Sequence, residues 1–140
     1  MKKMNNKGFS LVELIIVIAI MAILIGVLAP QYIKYVEKSR VSADKDLLDS
    51  VYTACTTAAA DPDFSNDAPA YNTAHAEASI ITTNSWGSEV LNTLGVSNVA
   101  AVNSKLKSKS AGQTTKSIVV STDAQGNFTV TAGSLSVPEK

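Results

Sequence analysis

Cysteine, histidine and aromatic residues are scarce in this sequence. Cys55 is the single cysteine, which excludes an intrachain disulfide framework. His75 is the single histidine, and there is no phosphate-binding glycine loop, no metal-ligand cluster and no paired catalytic constellation. Seven Trp, Tyr and Phe residues lie outside Phe9, so any soluble core is modest and built mainly from Val, Ile, Leu and Ala. Nor is there an excess of one charge. The chain has 12 basic and 12 acidic residues, and from Phe9 onward the balance is 9 basic against 12 acidic. A general nucleic-acid surface needs clustered positive charge over the domain, so this balance argues against one. One further absence is local: no lysine or arginine lies between Phe9 and Lys34.

That cation-free stretch is an apolar run. Of the 21 residues from Phe9 to Ala29, only Ser10 and Glu13 are polar. As a helix the run spans about 31 Å, close to the roughly 30 Å hydrocarbon core of a bilayer. Lys2, Lys3 and Lys7 precede it, which predicts a cytoplasmic amino-terminal side and an extracytoplasmic remainder after Pro30. A secretory signal peptide shares the basic start and apolar centre. Its only cleavage-like pattern, "VLA", is followed by Pro30, which suits signal peptidase poorly. A plain signal anchor fits the length and the lysines but leaves Glu13 without a role.

An ionisable residue inside a membrane span calls for a named partner. A lone carboxylate buried among apolar helices costs several kcal/mol. Cutting the chain between Gly8 and Phe9 would create a partner: a new α-amino group, positive near neutral pH, four residues from Glu13. The amine of the same chain could serve. In a packed helical array the amine of a neighbouring chain serves better, because it also fixes axial register. Opposite charges about 4 Å apart attract by roughly 4 kcal/mol at an effective dielectric near 20. A misregistered subunit would leave both charges unpaired.

"KGFSLVEL", the apolar run and "APQY" together resemble the amino terminus of type IV pilins and the related pseudopilins. The resemblance covers about Lys7 to Arg40. It implies that a prepilin peptidase cuts after Gly8, that Phe9 becomes the methylated amino terminus, and that Glu13 is the carboxylate needed for filament assembly. Pro30 falls where that family commonly has a helix proline. The implied partners are other copies of this chain and related pilins in a helical filament, the prepilin peptidase, a membrane-embedded assembly machinery, and the lipid bilayer before assembly. The implied location is the cytoplasmic membrane, then a filament at the cell surface. No cofactor is expected. A pseudopilin of a secretion or DNA-uptake machine shares every amino-terminal feature. A signal-anchored extracytoplasmic binding or enzymatic domain is the rival of another class; it would need no cut after Gly8.

The helical pattern continues past Pro30. Ile33, Val36, Ala43, Leu47, Val51, Ala54 and Ala58 recur at spacings of three, four and seven, as one helix face requires. Lys34, Glu37, Lys38, Asp44, Lys45 and Asp49 supply the expected wet side, with Lys45 and Asp49 spaced for an i,i+4 pair. Asp61 precedes Pro62, so the helix should end near Ala60. Within it, Pro30 lacks an N–H and crowds the carbonyl of Gly26, itself a poor helix former. Two weaknesses one turn apart predict a kink or a segment able to unwind.

Residues 61–86 are rich in Asp, Asn, Ala, Ser and Thr and read as loop. "GSEVLNTLG" reads as a short helix with Ser88 as cap and Gly95 as stop, and "SNVAAVNSKLKS" as another capped by Ser97. "KSIVVST" and "NFTVTA", separated by "DAQG", read as a hairpin that "SLSV" could extend. The expected fold is α+β: a leader of residues 1–8, a long helix over 9–60 whose first part, 9–29, spans the membrane, and a head of residues 61–140 containing a small antiparallel sheet. Alternative chemistry is thin. Cys55 falls on the buried helix face and His75 in a loop, which makes a catalytic Cys–His pair a poor reading. Asp61, Asp63 and Asp67 lack the glycine and final glutamate of a calcium loop, and "STDAQGN" is explained by a plain turn. Lys105, Lys107 and Lys109 alternate and on a strand would share a face able to touch a polyanion; a solvated surface is the ordinary expectation.

Overall fold

The computed structural model describes residues 8–68, 74–76, 85–112, 116–123 and 125–139. The chain divides into two compact units, Met1–Val36 and Glu37–Lys140. One helix, α1 (Leu11–Ala60), supplies most of the first and the spine of the second. It continues without interruption through Pro30 and stops at Ala60, where Asp61 and Pro62 leave helical geometry.

The second unit is an α+β head. Strands β1 (Ala74–Ala76), β2 (Ile118–Thr122), β3 (Phe128–Ala132) and β4 (Leu135–Val137) form one antiparallel sheet in sequence order. Two short helices, α2 (Ser85–Leu94) and α3 (Val99–Asn103), precede β2. The sheet has one core face because side chains alternate along β2 and β3. The cross-strand pairs Ile118–Ala132, Val120–Val130 and Thr122–Phe128 are all buried. Leu48, Val51, Ala54, Cys55 and Ala58 of α1 enter the same core. Trp86 of α2 stacks on Phe128 with ring centroids 5.7 Å apart.

The structure corrects several details expected from the sequence. The buried stripe of α1 runs through Asp44 and Leu48, with Ala43 exposed and Leu47 only half-buried. Asp44, expected on the wet side, is 1% exposed. Lys45 pairs with Glu139 rather than Asp49. Helix α2 starts three residues before Ser88, so Ser88 lies inside it rather than at its N-cap; Gly95, at φ +66°, does end it. The cap of α3 is Asn98, whose Oδ1 accepts from the Ala101 N–H at 2.9 Å, not Ser97, and α3 ends at Asn103. The stretch read as loop before residue 86 contributes β1, paired to β2.

Asp44 is buried because it has donors. Its carboxylate accepts from the backbone N–H of Lys107 at 2.8 Å and of Ser108 at 2.7 Å. Two turns earlier, Glu37 accepts from the Lys109 N–H at 2.6 Å. Two carboxylates of α1 therefore hold the turn at 107–109 against the helix. The β3–β4 turn docks on the next residues: Ser134 N–H donates to the Ser110 carbonyl at 2.9 Å. Gly133 makes this approach possible. Its φ is +59°, and an added Cβ would overlap the Ser110 carbonyl oxygen and lie 2.8 Å from Ala111 C.

Two outcomes follow from this packing. Gly126 also has positive φ, but a Cβ there would meet nothing within 4 Å. Gly126→Ala should cost about 1–2 kcal/mol, the strain of a left-handed alanine, and Gly133→Ala clearly more, because neighbouring backbone must also move. Equal shifts in the thermal midpoint of the two variants would contradict this docking. For Asp44, burial alone would raise the carboxyl pKa. The Ser108 hydroxyl, the two backbone N–H groups and the Lys116 charge outweigh burial and hold it below the ordinary 3.8. A depressed folded value means that its stabilisation is present above 3.8 and lost as pH falls through the folded value. The stability advantage of wild type over Asp44→Asn, measured by urea unfolding followed by circular dichroism, should therefore be constant above pH 3.8 and shrink as pH falls below it. An advantage that does not change with pH would contradict the clamp.

Candidate functional site

In the first unit, α1 has no cover among the described residues. The side chains from Leu11 to Tyr35 are all exposed, and none of the most apolar window of the helix is buried. The helix is long and apolar enough to cross a membrane. An apolar surface of this length is not left to water, since contiguous exposed patches of even a few hundred Å² mark interaction surfaces.

At its start, Ser10 and Glu13 form a reciprocal cap. The Ser10 N–H donates to Glu13 Oε2 at 2.9 Å, and Ser10 Oγ accepts from the Val12 N–H at 3.3 Å. The Ser10 carbonyl accepts the first helical bond, from Leu14 N–H at 3.2 Å. This is the S-x-x-E capping box, in which a carboxylate reaches back to the cap residue's own amide. It gives Glu13 a hydrogen-bond partner that charge pairing alone does not disclose, although the spacing Ser10–Glu13 announces it. The box does not neutralise the charge. It aims the carboxylate at the amino-terminal end of the helix, whose free N–H groups also favour an anion.

Phe9 and Glu13 line the same shallow apolar depression, of about 440 Å³, with Leu14, Ile16 and Val17. The structure thus brings together the Gly8–Phe9 junction and the carboxylate. Phe9 is 94% exposed, and a Cβ on Gly8 would meet nothing within 4 Å, so the junction is open to an approaching protein. Gly26 and Pro30 sit one turn apart further along α1. A Cβ on Gly26 would also meet nothing within 4 Å, so nothing among the described residues requires glycine there.

The remaining candidates have structural employment. Cys55 is buried in the head core beside Val51 and Ala58. His75 is in β1, paired with Val120 of β2. Asp61 accepts from the Asp63 N–H at 2.9 Å, and Asp67 accepts from the Ser85 hydroxyl. Asp123 ties the β2–β3 turn, accepting from the N–H groups of Gln125 and Asn127 at 2.9 and 2.8 Å. The Asn127 side-chain amide, which donates to Asp123 Oδ2 at 2.9 Å, does most to hold its pKa below the carboxylate norm, and these backbone bonds add to it.

Comparison with known proteins meets the chain at this same amino-terminal segment. Residues 3–29 match the prokaryotic N-terminal methylation motif. The chain is 44% identical over 50 residues to the type IV major pilin protein PilA of Myxococcus xanthus, covering 36% of this chain and 23% of that one. It is 43% identical over 52 residues to a fimbrial protein of Moraxella nonliquefaciens, covering 37% and 34%. It is 41% identical over 59 residues to the type IV major fimbrial protein FimA of Dichelobacter nodosus, covering 42% and 38%. The matched part spans less than two-fifths of the length of each of these relatives. No solved structure matches the chain significantly.

Proposed function

We propose that this chain, which belongs by its amino-terminal segment to the type IV pilin family, is a structural subunit of a surface pilus. The observation that carries the proposal is a carboxylate, Glu13, placed on a fully uncovered apolar helix beside an open Gly8–Phe9 junction. Residues 1–8 act as a basic leader. A prepilin peptidase cuts after Gly8, and Phe9 becomes a methylated amino terminus. Before assembly, residues 9–29 cross the cytoplasmic membrane with the leader lysines inside and the head outside, as the positive-inside rule requires. During assembly, extracted by a membrane-embedded machinery, the same residues pass from lipid into the core of a filament of like chains.

Glu13 acts in that exchange. Cleavage leaves the new amine one residue before Ser10, within reach of the carboxylate that the capping box has already turned towards it. In a filament the amine of an adjoining copy takes part, and only one axial stagger pairs every amine with a carboxylate. The pair therefore specifies register more than it adds stability, since desolvation offsets much of its attraction. The relatives are named as major pilins and fimbrial proteins, which favours the pilus over a pseudopilin of a secretion or DNA-uptake machine. A signal-anchored binding domain would leave Glu13 and the open junction without a role.

The Gly26–Pro30 turn is proposed as the part of α1 that lengthens on entry to the filament. It lacks the Pro30 N–H and carries the poor helix former Gly26. Amide exchange at residues 26–29 should be faster in filaments than in the membrane-bound subunit; equal protection in both would contradict this.

Replacement of Glu13 tests the main reading. Glu13→Val makes the span more apolar, so membrane entry should persist. Cleavage should persist too, because Gly8 and the lysines are untouched. Filaments should be few or absent while mature subunit accumulates in the membrane. Glu13→Gln should also assemble poorly, since it keeps the shape and loses the charge. Wild-type numbers of filaments from Glu13→Val as sole subunit would overturn the register role.

A further inference from the structure

The head carries its charges in blocks. Between residues 46 and 104 there is no lysine or arginine, but there are Asp46, Asp49, Asp61, Asp63, Asp67, Glu77 and Glu89. Between residues 105 and 122 there is no acidic residue, but there are Lys105, Lys107, Lys109 and Lys116.

The fold turns this pattern into two surfaces. Leu106 and Ser108 are buried while Lys105, Lys107 and Lys109 are exposed, in a turn rather than on a strand. Lys107, Lys109 and Lys116 line one polar cleft of about 260 Å³ with Ser108 and Gly112. The backbone of this turn is fixed by Glu37 and Asp44, which occupy its N–H groups, and Lys116 Nζ donates to the Leu106 carbonyl at 2.9 Å, so Lys107 and Lys109 are the exposed cations of the cleft. The basic surface is thus pinned beside the Glu37–Asp44 end of α1. The acidic surface lies past the other end. Asp63 and Asp67 are exposed directly after α1 stops at Ala60, and no basic residue sits in its last turn. From Asp44 to Ala60 the helix rises about 24 Å. The carbonyl end of α1 adds partial negative charge to the acidic side.

We propose that these two surfaces are the halves of one head-to-tail contact: the Lys105–Lys109 face of one copy docks on the Asp61–Asp67 face of the next. The inference rests on the filament reading and specifies how heads meet within it. Two different patches on the same chain make a heterologous contact, the kind that generates an open helical array rather than a closed dimer. The apolar part of α1 fixes axial register without orienting the heads. A charge contact between heads fixes their rotation and suppresses wrong neighbours, because misorientation sets like charges against each other. Each exposed pair is weak alone and is screened beyond about 10 Å at 0.1 M salt, so the contact works by repetition along the filament.

A charge swap in the intact chain, expressed as sole subunit, tests this. Lys107→Glu with Lys109→Glu should lower the filament recovered by shearing about fivefold or more, and so should Asp63→Lys with Asp67→Lys. All four changes together restore opposite charges across the contact, so recovery should return to within about twofold of wild type. Protection of buried Cys55 from a thiol reagent checks that each variant is folded. A reversal that exposes Cys55 is replaced by the neutral pair Lys107→Gln with Lys109→Gln, or by Asp63→Asn, which should make recovery less dependent on salt than in wild type. The contact is overturned if the fourfold swap recovers no more filament than the worse reversal, or if both reversals match wild type. It is also overturned if the lysine reversal spares filaments but abolishes retention of DNA, which would make the cleft a polyanion site. If the wild-type chain itself forms no filaments, the filament reading falls, and with it this contact.

Discussion

The constraint on which everything else depends is that one helix must satisfy two surroundings. From Leu48 to Ala58, α1 is the core of its own head. From Leu11 to Tyr35 it has nothing among the described residues to lie against. A soluble protein could not keep that second surface, and a simple membrane anchor would have no reason to put a carboxylate in it. Lipid satisfies the apolar residues and penalises Glu13. A bundle of like helices satisfies both, provided that each chain brings its own cation. In the proposed reading that cation is the amine that a cut after Gly8 would expose, which would tie maturation to assembly through a single side chain.

The head is arranged around the same helix by carboxylates used in the opposite way. Asp44 and Glu37 accept backbone N–H groups and gather the 107–109 turn onto α1, and Gly133 brings the sheet against the next residues. The acidic residues of α1 that face inward are spent on structure. Asp63 and Asp67, beyond Ala60, face outward, as do the lysines of the clamped turn, and both sets are accessible to other copies. Glu13, Asp44 and Asp63 thus illustrate three settings of a carboxylate: capping an uncovered apolar helix, hydrogen-bonded inside the head, and displayed on its surface.

Much of this architecture is legible in the amino-acid sequence. The apolar run and the helix end at Ala60 each rest on a strong local rule, bilayer thickness in one case and the restriction before proline in the other. The β2–β3 hairpin is legible from β-branched alternation about a turn. Asp44 is not legible, because a charged residue between exposed positions reads as wet until its donors are known, and those donors lie more than sixty residues away. That one residue rotates the buried face from Leu47 to Leu48. Ser88 and Ser97 are plausible caps displaced by packing: Trp86 draws the start of α2 back into the core, and Asn98 offers α3 the better acceptor. Strand β1 is three residues, Ala-His-Ala, and only its partner β2 makes it a strand. The Ser10–Glu13 capping box is fully present in the sequence, yet a carboxylate in an apolar run directs the eye to a distant cation rather than to the amide next door.

The central claim is that the amine of Phe9 meets Glu13 of an adjoining copy inside a filament. A helical reconstruction of sheared filaments, at a resolution that shows side chains, tests it most directly. The account predicts density beginning at Phe9, with its amino nitrogen about 4 Å or less from a Glu13 carboxylate of a neighbouring chain. Density continuing through Gly8 into the leader, or Glu13 carboxylates facing away from every amine, would contradict it.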